Sequence, residues 1–307
     1  MIVWIIAMIS SAIRLAVPYT LAGLGGTYSE RSGVVNIGLE GMMLTGAFTA
    51  VAVTNVTGSP WIGLLSAILV GMALGLVHAV VCVTFKSNQI VSGLAINIFA
   101  AGITVFFSWL IFDKTQIAVE AKLSEPLLRA LQGFESLHDW FAALFSRFPP
   151  VVFLTVLIVI ISHFVIFKTV FGLRLRSVGE HPKAADTLGI SVYKMRYIGV
   201  IISGALAGMG GAFLSLEHAG YFVKGISGGK GFIGLATMIF GKWTPFGTAA
   251  AGLLFGLGES ISLRMPSDLV PVEFVHMIPY ILTMFILAGA VGRATPPAAD
   301  GIPYSKE

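Results

Sequence analysis

The sequence predicts an all-α fold: a polytopic integral membrane bundle of about nine spans, with broken helices and an inverted repeat. Three observations carry this. Of 307 residues, 56% are hydrophobic and only 11% charged, against about 25% charged in an ordinary soluble domain. Apolar runs near the 20 residues that a span needs recur to the end of the chain. Short polar, glycine-rich stretches interrupt those runs, drawing on 36 glycines in all.

Taken in order, the spans lie near 2–24, 37–56, 61–84, 89–112, 150–167, 197–216, 244–264 and 274–291, with a half-helix near 231–241. The N-terminus lacks a basic n-region and a small-residue cleavage signal, so the first helix is expected to stay. Together they form one transmembrane domain over 1–307, ending in a short cytoplasmic tail from about 293. Segment 168–196 carries Lys168, Arg174, Arg176, Lys183, Lys194 and Arg196 against Glu180 and Asp186, whereas segment 113–147 has four basic and five acidic residues. Lys/Arg bias therefore places the first in the cytoplasm and the second outside, with the N-terminus outside. In the outer segment, Ser124-Glu125-Pro126 opens a short helix, and Trp140, Phe141 and Phe145 suit the headgroup level. That segment is either an interfacial spacer or a docking surface for an external partner.

The stretch Gly25–Met43 holds Glu30, Arg31, Asn36 and Glu40 between two apolar runs. A charged side chain at the centre of a membrane helix costs roughly 2.5–3.5 kcal/mol, so these groups are paired, wet or near an interface. Glu30-Arg31-Ser32-Gly33 reads as a break that lines or closes a cavity, or else as a cytoplasmic turn with an ordinary ion pair. It has an echo: Gly25-Gly26 leading to Ser29-Glu30-Arg31 parallels Gly210-Gly211 leading to Ser215-Leu216-Glu217-His218 and Gly228-Gly229-Lys230-Gly231. Paired glycine-interrupted segments of opposite direction point to a translocation site between two halves.

Farther along, Gln89, Gly93, Asn97, Thr104 and Ser108 share one helical face, opposite Val91, Leu94, Ile98, Val105 and Trp109. Such a face looks either at a watery path for a neutral hydroxylated solute or at neighbouring helices that it hydrogen-bonds. Gly71-x3-Gly75, Gly204-x3-Gly208 and Gly252-x3-Gly256 are close-packing seams. His78 on the first seam reads as a packing residue, Cys82 as a small buried side chain that rules out an internal disulfide, and His163 and Glu259 as isolated polar groups. In the loop "SVGEHPKAADTLGI", Pro182 stands at a first helical position, Glu180 precedes it and Gly189 closes a two-turn helix. Its basic flanks fix the base at the membrane surface and leave Ala184, Ala185 and Leu188 for a groove on a cytoplasmic partner. The run "SGGKGF" lacks the Ser/Thr and preceding strand of a phosphate loop. Catalytic residues and a metal site are not expected, and the +4 charge reads as a topology signal with no nucleic-acid partner.

These residues also carry a resemblance. Glu30–Met43 with Gly46-Ala47-Phe48, Asn88-Gln89 with Ser92-Gly93, and Gly179-Glu180 with Pro182 and Ala184-Ala185 resemble the permease subunits of bacterial ABC importers for nucleosides and simple sugars. So do Gly231-Phe232-Ile233, Ile239–Trp243, Pro296–Ala299 and Pro303-Tyr304, a likeness extending to branched-chain amino acid permeases. The resemblance implies a nucleoside-importing subunit in the cytoplasmic membrane of a bacterium, with a simple sugar such as a pentose as the alternative substrate. It implies a second permease subunit, usually in a heterodimer whose shorter member this chain is similar to. It also implies a cytoplasmic ABC ATPase that binds ATP and Mg, and an extracytoplasmic binding protein or lipoprotein. Glu180, His181, Pro182, Ala184, Ala185 and Gly189 would form the coupling helix, with His181 standing where the family pattern has Asn. Glu30, Asn36, Gln89, Asn97 and Thr104 are the expected path or gate residues. An ion-coupled secondary transporter remains the reading from a different class.

Overall fold

The computed structural model describes residues 2–119, 121–124, 148–264 and 295–306. The expected span near 274–291 and the aromatic part of the outer segment lie outside the described residues. The helices are α1 (Ile2–Arg31), α2 (Leu39–Thr57), α3 (Pro60–Ala79), α4 (Gln89–Phe112), α5 (Pro150–Lys168), α6 (Val170–Glu180), α7 (Pro182–Thr187), α8 (Val192–Phe213), α9 (Lys230–Phe240) and α10 (Pro245–Ser262). α3 runs on as a π turn over Val80–Thr84 and α8 over Leu214–Ala219. Strands β1 (Gln116–Ala118) and β2 (Tyr221–Val223) pair antiparallel with Gln116 opposite Val223, forming a small ribbon at one end of the bundle.

Among the described residues six helices, α1 to α5 and α8, are long and apolar enough to cross a membrane, and α10, where a span is expected near 244–264, is not one of them. α9 has 11 residues, the half-helix expected near 231–241. Their starts follow local chemistry. Asn88 Oδ1 accepts from Ile90 N and Val91 N, and Ser191 and Thr244 cap α8 and α10 through Lys194 N and Gly247 N. Pro60, Pro150, Pro182 and Pro245 each stand in the first helical turn, where a missing N–H leaves no intrahelical bond unmade.

α1 extends seven residues beyond the expected end at 24, through the Gly25-Gly26 pair to Arg31. Those glycines do not end the helix because protein packs onto them: a Cβ at Gly25 would lie 2.7 Å from Ser203 O. α1 lies along α8, α9 and α10, while α8 also lies along α2 and α3. At the α3–α8 crossing the backbones nearly touch, since a Cβ at Gly71 would meet Gly204 O at 2.1 Å and one at Gly204 would meet Gly71 O at 2.1 Å. Gly252 and Gly256 form the corresponding seam against Thr20 and Ala12 of α1.

Residues 295–306 do not hang free as a tail. Ala299 N donates to Gly179 O at 2.8 Å, Ala298 N to Glu180 Oε2 at 3.2 Å, and Arg196 Nη1 to Ile302 O at 2.9 Å. The Tyr304 ring stands edge-on to Tyr193. Arg196, expected at the membrane surface, is therefore 1% exposed; its guanidinium is needed inside as the tail's hydrogen-bond donor. Asp300 lies beside the Glu30 carboxyl, and burial raises its pKa to about 6, partly offset by Glu30, by the Gly301 N–H and by Arg196.

Two outcomes follow from this packing. Gly71→Val separates α3 from α8 and destabilises the protein by roughly 3 kcal/mol or more, whereas Gly102→Ala, where a Cβ meets nothing within 4 Å, gains about 0.5–1 kcal/mol; thermal unfolding in detergent separates them. Because the Asp300 pKa is raised on docking, the docked tail binds more protons than the released one, so docking weakens as pH rises from about 4 through about 6. Carboxypeptidase digestion of the tail is expected to be faster at pH 7.5 than at pH 5, with the difference reduced in Asp300→Asn.

Candidate functional site

Between α1 and α2 the chain leaves helical geometry over 32–38 while staying inside the bundle. Each peptide group there needs a partner, since unpaired buried backbone costs about as much as a lost hydrogen bond. Ser29 Oγ donates to Val34 O at 2.6 Å, and Gln89 Oε1 accepts from Val35 N at 2.7 Å. His78 Nε2 donates to Val35 O at 3.0 Å, and Asn97 Nδ2 to Ile37 O at 3.1 Å, while Asn97 Oδ1 accepts from Gly41 N at 2.8 Å. Asn36 Oδ1 accepts from Gly38 N, and its Nδ2 donates to Ser203 Oγ at 2.9 Å. Side chains from α3, α4 and α8 thus converge on one break, and only Gly33, at φ +86° and packed under Arg196, turns into the left-handed region.

Of the expected path residues, Asn36, Gln89 and Asn97 come together on this break. Thr104 does not: its Oγ1 donates to Ala100 O at 2.7 Å on its own helix, and it borders a separate cleft of about 350 Å³ with Thr45, Phe48 and Phe107. Glu30 sits at the end of α1, where its Oε2 accepts from Trp243 Nε1 at 2.7 Å. Arg31 makes no ordinary ion pair with it; Arg31 Nε donates to Trp243 O at 3.1 Å. The two charges clamp the turn after α9, in which Lys242 and Trp243 hold φ of +53° and +52°, a conformation that costs bulky side chains of order 1–3 kcal/mol each.

Glu40 has a different partner. Its Oε1 and Oε2 accept from Gly229 N at 2.8 Å and Gly231 N at 2.7 Å, capping the first turn of α9. A negative group there meets both orphan N–H donors and the positive end of the helix dipole. Glu259, isolated in sequence, is paired in space: Lys230 Nζ lies 2.9 Å from Oε1, and Tyr19 Oη donates to Oε2 at 2.6 Å. No local signal marks this group of three, because its members come from α1, α9 and α10 and meet only in the folded chain.

The loop expected at Glu180–Gly189 is the α6–α7 corner. Pro182 opens α7, and Gly189 at φ +77° closes it with Gly189 N donating to Asp186 O and Ile190 N to Ala185 O. Glu180 ends α6 and accepts from the tail instead of starting α7. Ala184 is exposed and Leu188 is 80% exposed, but Ala185 is buried against the chain's own core because it faces back toward α8. His181 bridges the two helices, its N–H donating to Ser177 O and its carbonyl accepting from Ala185 N. The corner bears directly on the break: a Cβ at Gly179 would lie 2.4 Å from Arg31 O.

Known proteins resemble this chain in sequence. Residues 8–287 match the model of the family described as branched-chain amino acid transport system / permease component. The chain is 44% identical to the guanosine ABC transporter permease protein NupQ of Bacillus subtilis, covering 97% of this chain and 96% of that one. It is 38% identical to the nucleoside ABC transporter permease protein NupC of Lactococcus lactis over 97% and 96% of the two chains, and 25% identical to the glucose ABC transporter permease protein TsgB13 of Haloferax volcanii over 89% and 74%. No solved structure matches the chain. The multi-pass helical bundle and the matched length together make this chain a member of the branched-chain amino acid transport system permease family, a transport component of the ABC type.

Proposed function

We propose that the protein is the membrane-spanning subunit of an ATP-driven importer that moves nucleosides across the cytoplasmic membrane of a bacterium. The observation that carries this is the contact chain from an exposed helix to a buried break. α7 presents Ala184 and Leu188 outward, α6 touches the end of α1 through Gly179, and the tail ties both to Glu30 and Arg196. A push on α7 is thus delivered to the place where α1 ends. The names of the Bacillus and Lactococcus relatives support nucleosides as the cargo.

In this reading the α7 end of the bundle faces the cytoplasm and the β-ribbon faces outward. Residues 1–307 form one permease domain of about nine crossings, and the glycine-interrupted segments that begin at Gly25-Gly26 and at Gly210-Gly211 are the two members of an inverted repeat. Glu180, His181, Pro182, Ala184, Ala185 and Gly189 build the coupling element, which seats in a separate ATPase that binds ATP and Mg. A second permease subunit, in a heterodimer, completes the path, and an extracytoplasmic binding protein or lipoprotein delivers the solute. Asn36, Gln89 and Asn97 hold the inner gate closed by satisfying the 32–38 backbone, Glu30 fastens the end of α1 to Trp243, and Thr104 lines the neighbouring cleft. Closure of the paired ATPases draws the coupling helices together, shifts α6 against α1 and releases that gate.

Two observations favour other readings. The glucose permease relative favours a simple sugar as cargo. The Lys230–Glu259 pair inside the bundle favours an ion-coupled carrier, although each charge there is already matched by the other.

Purification of the tagged chain from its native membrane, followed by mass spectrometry, is expected to recover an ABC ATPase and a second permease; recovery of the chain alone overturns the importer reading. In the reconstituted complex, Ala184→Glu or Leu188→Glu is expected to cut nucleoside uptake about tenfold or more while ATP hydrolysis persists, the loss expected from burying an unpaired charge at a docking face. Uptake unchanged in both variants removes the coupling role from α7, and uptake that survives ATP depletion while the ion gradient is kept supports the carrier.

A further inference from the structure

Lys230, Glu259 and Tyr19 form a polar layer deep in the bundle. Tyr19 stands twelve residues before Arg31, roughly 18 Å along α1 at 1.5 Å per residue, well within a hydrocarbon core about 30 Å thick. His218 lies within electrostatic reach of Glu259, Lys230 and Arg14, so the layer extends to the end of α8. Ionisable groups at such depth face protein or a watery path.

Two features separate this layer from a packing device. The α9 N-terminus already has its counter-charge in Glu40, so Glu259 is not needed there. The Lys230 and Glu259 side chains also stay 16% and 20% exposed. Beside them, a Cβ at Gly225 or Gly229 would meet nothing within 4 Å, so the 224–229 loop borders open space.

We propose that Tyr19, Lys230 and Glu259 are a solute-contacting site for the vicinal hydroxyls of a neutral pentose-bearing solute, a proposal that rests on the nucleoside-importer reading. The two Glu259 oxygens each have a lone pair beyond those used by Lys230 and Tyr19. Adjacent hydroxyls of a ribose can donate to both oxygens side by side, and Lys230 retains N–H groups for an oxygen of the same solute. The pair is neutral overall, so it offers strong hydrogen bonds without holding an ion. A solute lacking one hydroxyl leaves one of those further carboxylate lone pairs without a donor, which gives discrimination by loss of a charged hydrogen bond.

The test uses the full complex with its ATPase and binding protein in proteoliposomes, with guanosine and 2′-deoxyguanosine as probes. Buried Cys82 is the sole cysteine, so a Cys82→Ala, His218→Cys chain carries one thiol in the layer. Its labelling from outside by a charged thiol reagent is expected to slow several-fold with guanosine and less with 2′-deoxyguanosine. That protection is expected to vanish in Glu259→Gln, which also lowers guanosine uptake by about tenfold or more. Tyr19→Phe, which keeps the ring in place, is expected to lower uptake less. A thiol that resists labelling, or is labelled equally with and without guanosine in a complex that imports it, overturns this assignment alone. A complex that imports no nucleoside overturns the functional reading and this site with it.

Discussion

The rest of the molecule is arranged around one requirement: seven residues outside helical geometry, 32–38, lie inside a protein whose surroundings offer little water. Their peptide groups are met by Ser29 from α1, His78 from α3, Gln89 and Asn97 from α4, and by Asn36 within the break, itself held by Ser203 of α8. These partners can reach only because α3 and α8 cross at glycines with no side chain between them. Small residues on one pair of helices and amides on another are therefore two parts of one arrangement.

The same economy governs the charges. Glu30 and Arg31 face the left-handed turn at Lys242 and Trp243, Glu40 faces the start of α9, and Glu259 faces Lys230. Arg31 and Glu40 thus meet backbone groups, Glu259 an opposite charge and Glu30 the Trp243 indole N–H, the pairing under which burial of such groups is tolerated. Glu30 also meets Asp300 of the tail, bringing two carboxyls together beside Arg196. The α7 corner, the end of α1 and the tail consequently form one connected unit, so displacement of α7 is felt where the break begins.

Much of this was legible in the chain itself. The bounds of α2 to α5, the proline and Asn/Ser/Thr starts, the three Gly-x3-Gly motifs, the half-helix near 231–241 and the closed turn at Gly189 all follow from local spacing and local hydrogen-bond chemistry. The polar face of α4 was legible as a face, and its two readings differed only in what lay opposite. Arg196 was misplaced because a basic residue beside other basic residues reads as a surface anchor. Ala185 was expected to be free because a two-turn helix does not reveal which side rests on its own protein.

The sequence by itself determined where most of the described helices start and where the chain turns, because hydrophobic length and caps act within a few residues. Only the tertiary structure decided which polar groups meet. Lys230 and Glu259 are 29 residues apart, Tyr19 and Glu259 are 240 apart, and Glu30 and Trp243 are 213 apart. Such pairings depend on how α1, α9 and α10 are set against one another by glycine contacts. A linear reading finds the charges and their cost; the packing supplies the partner that makes each charge stable.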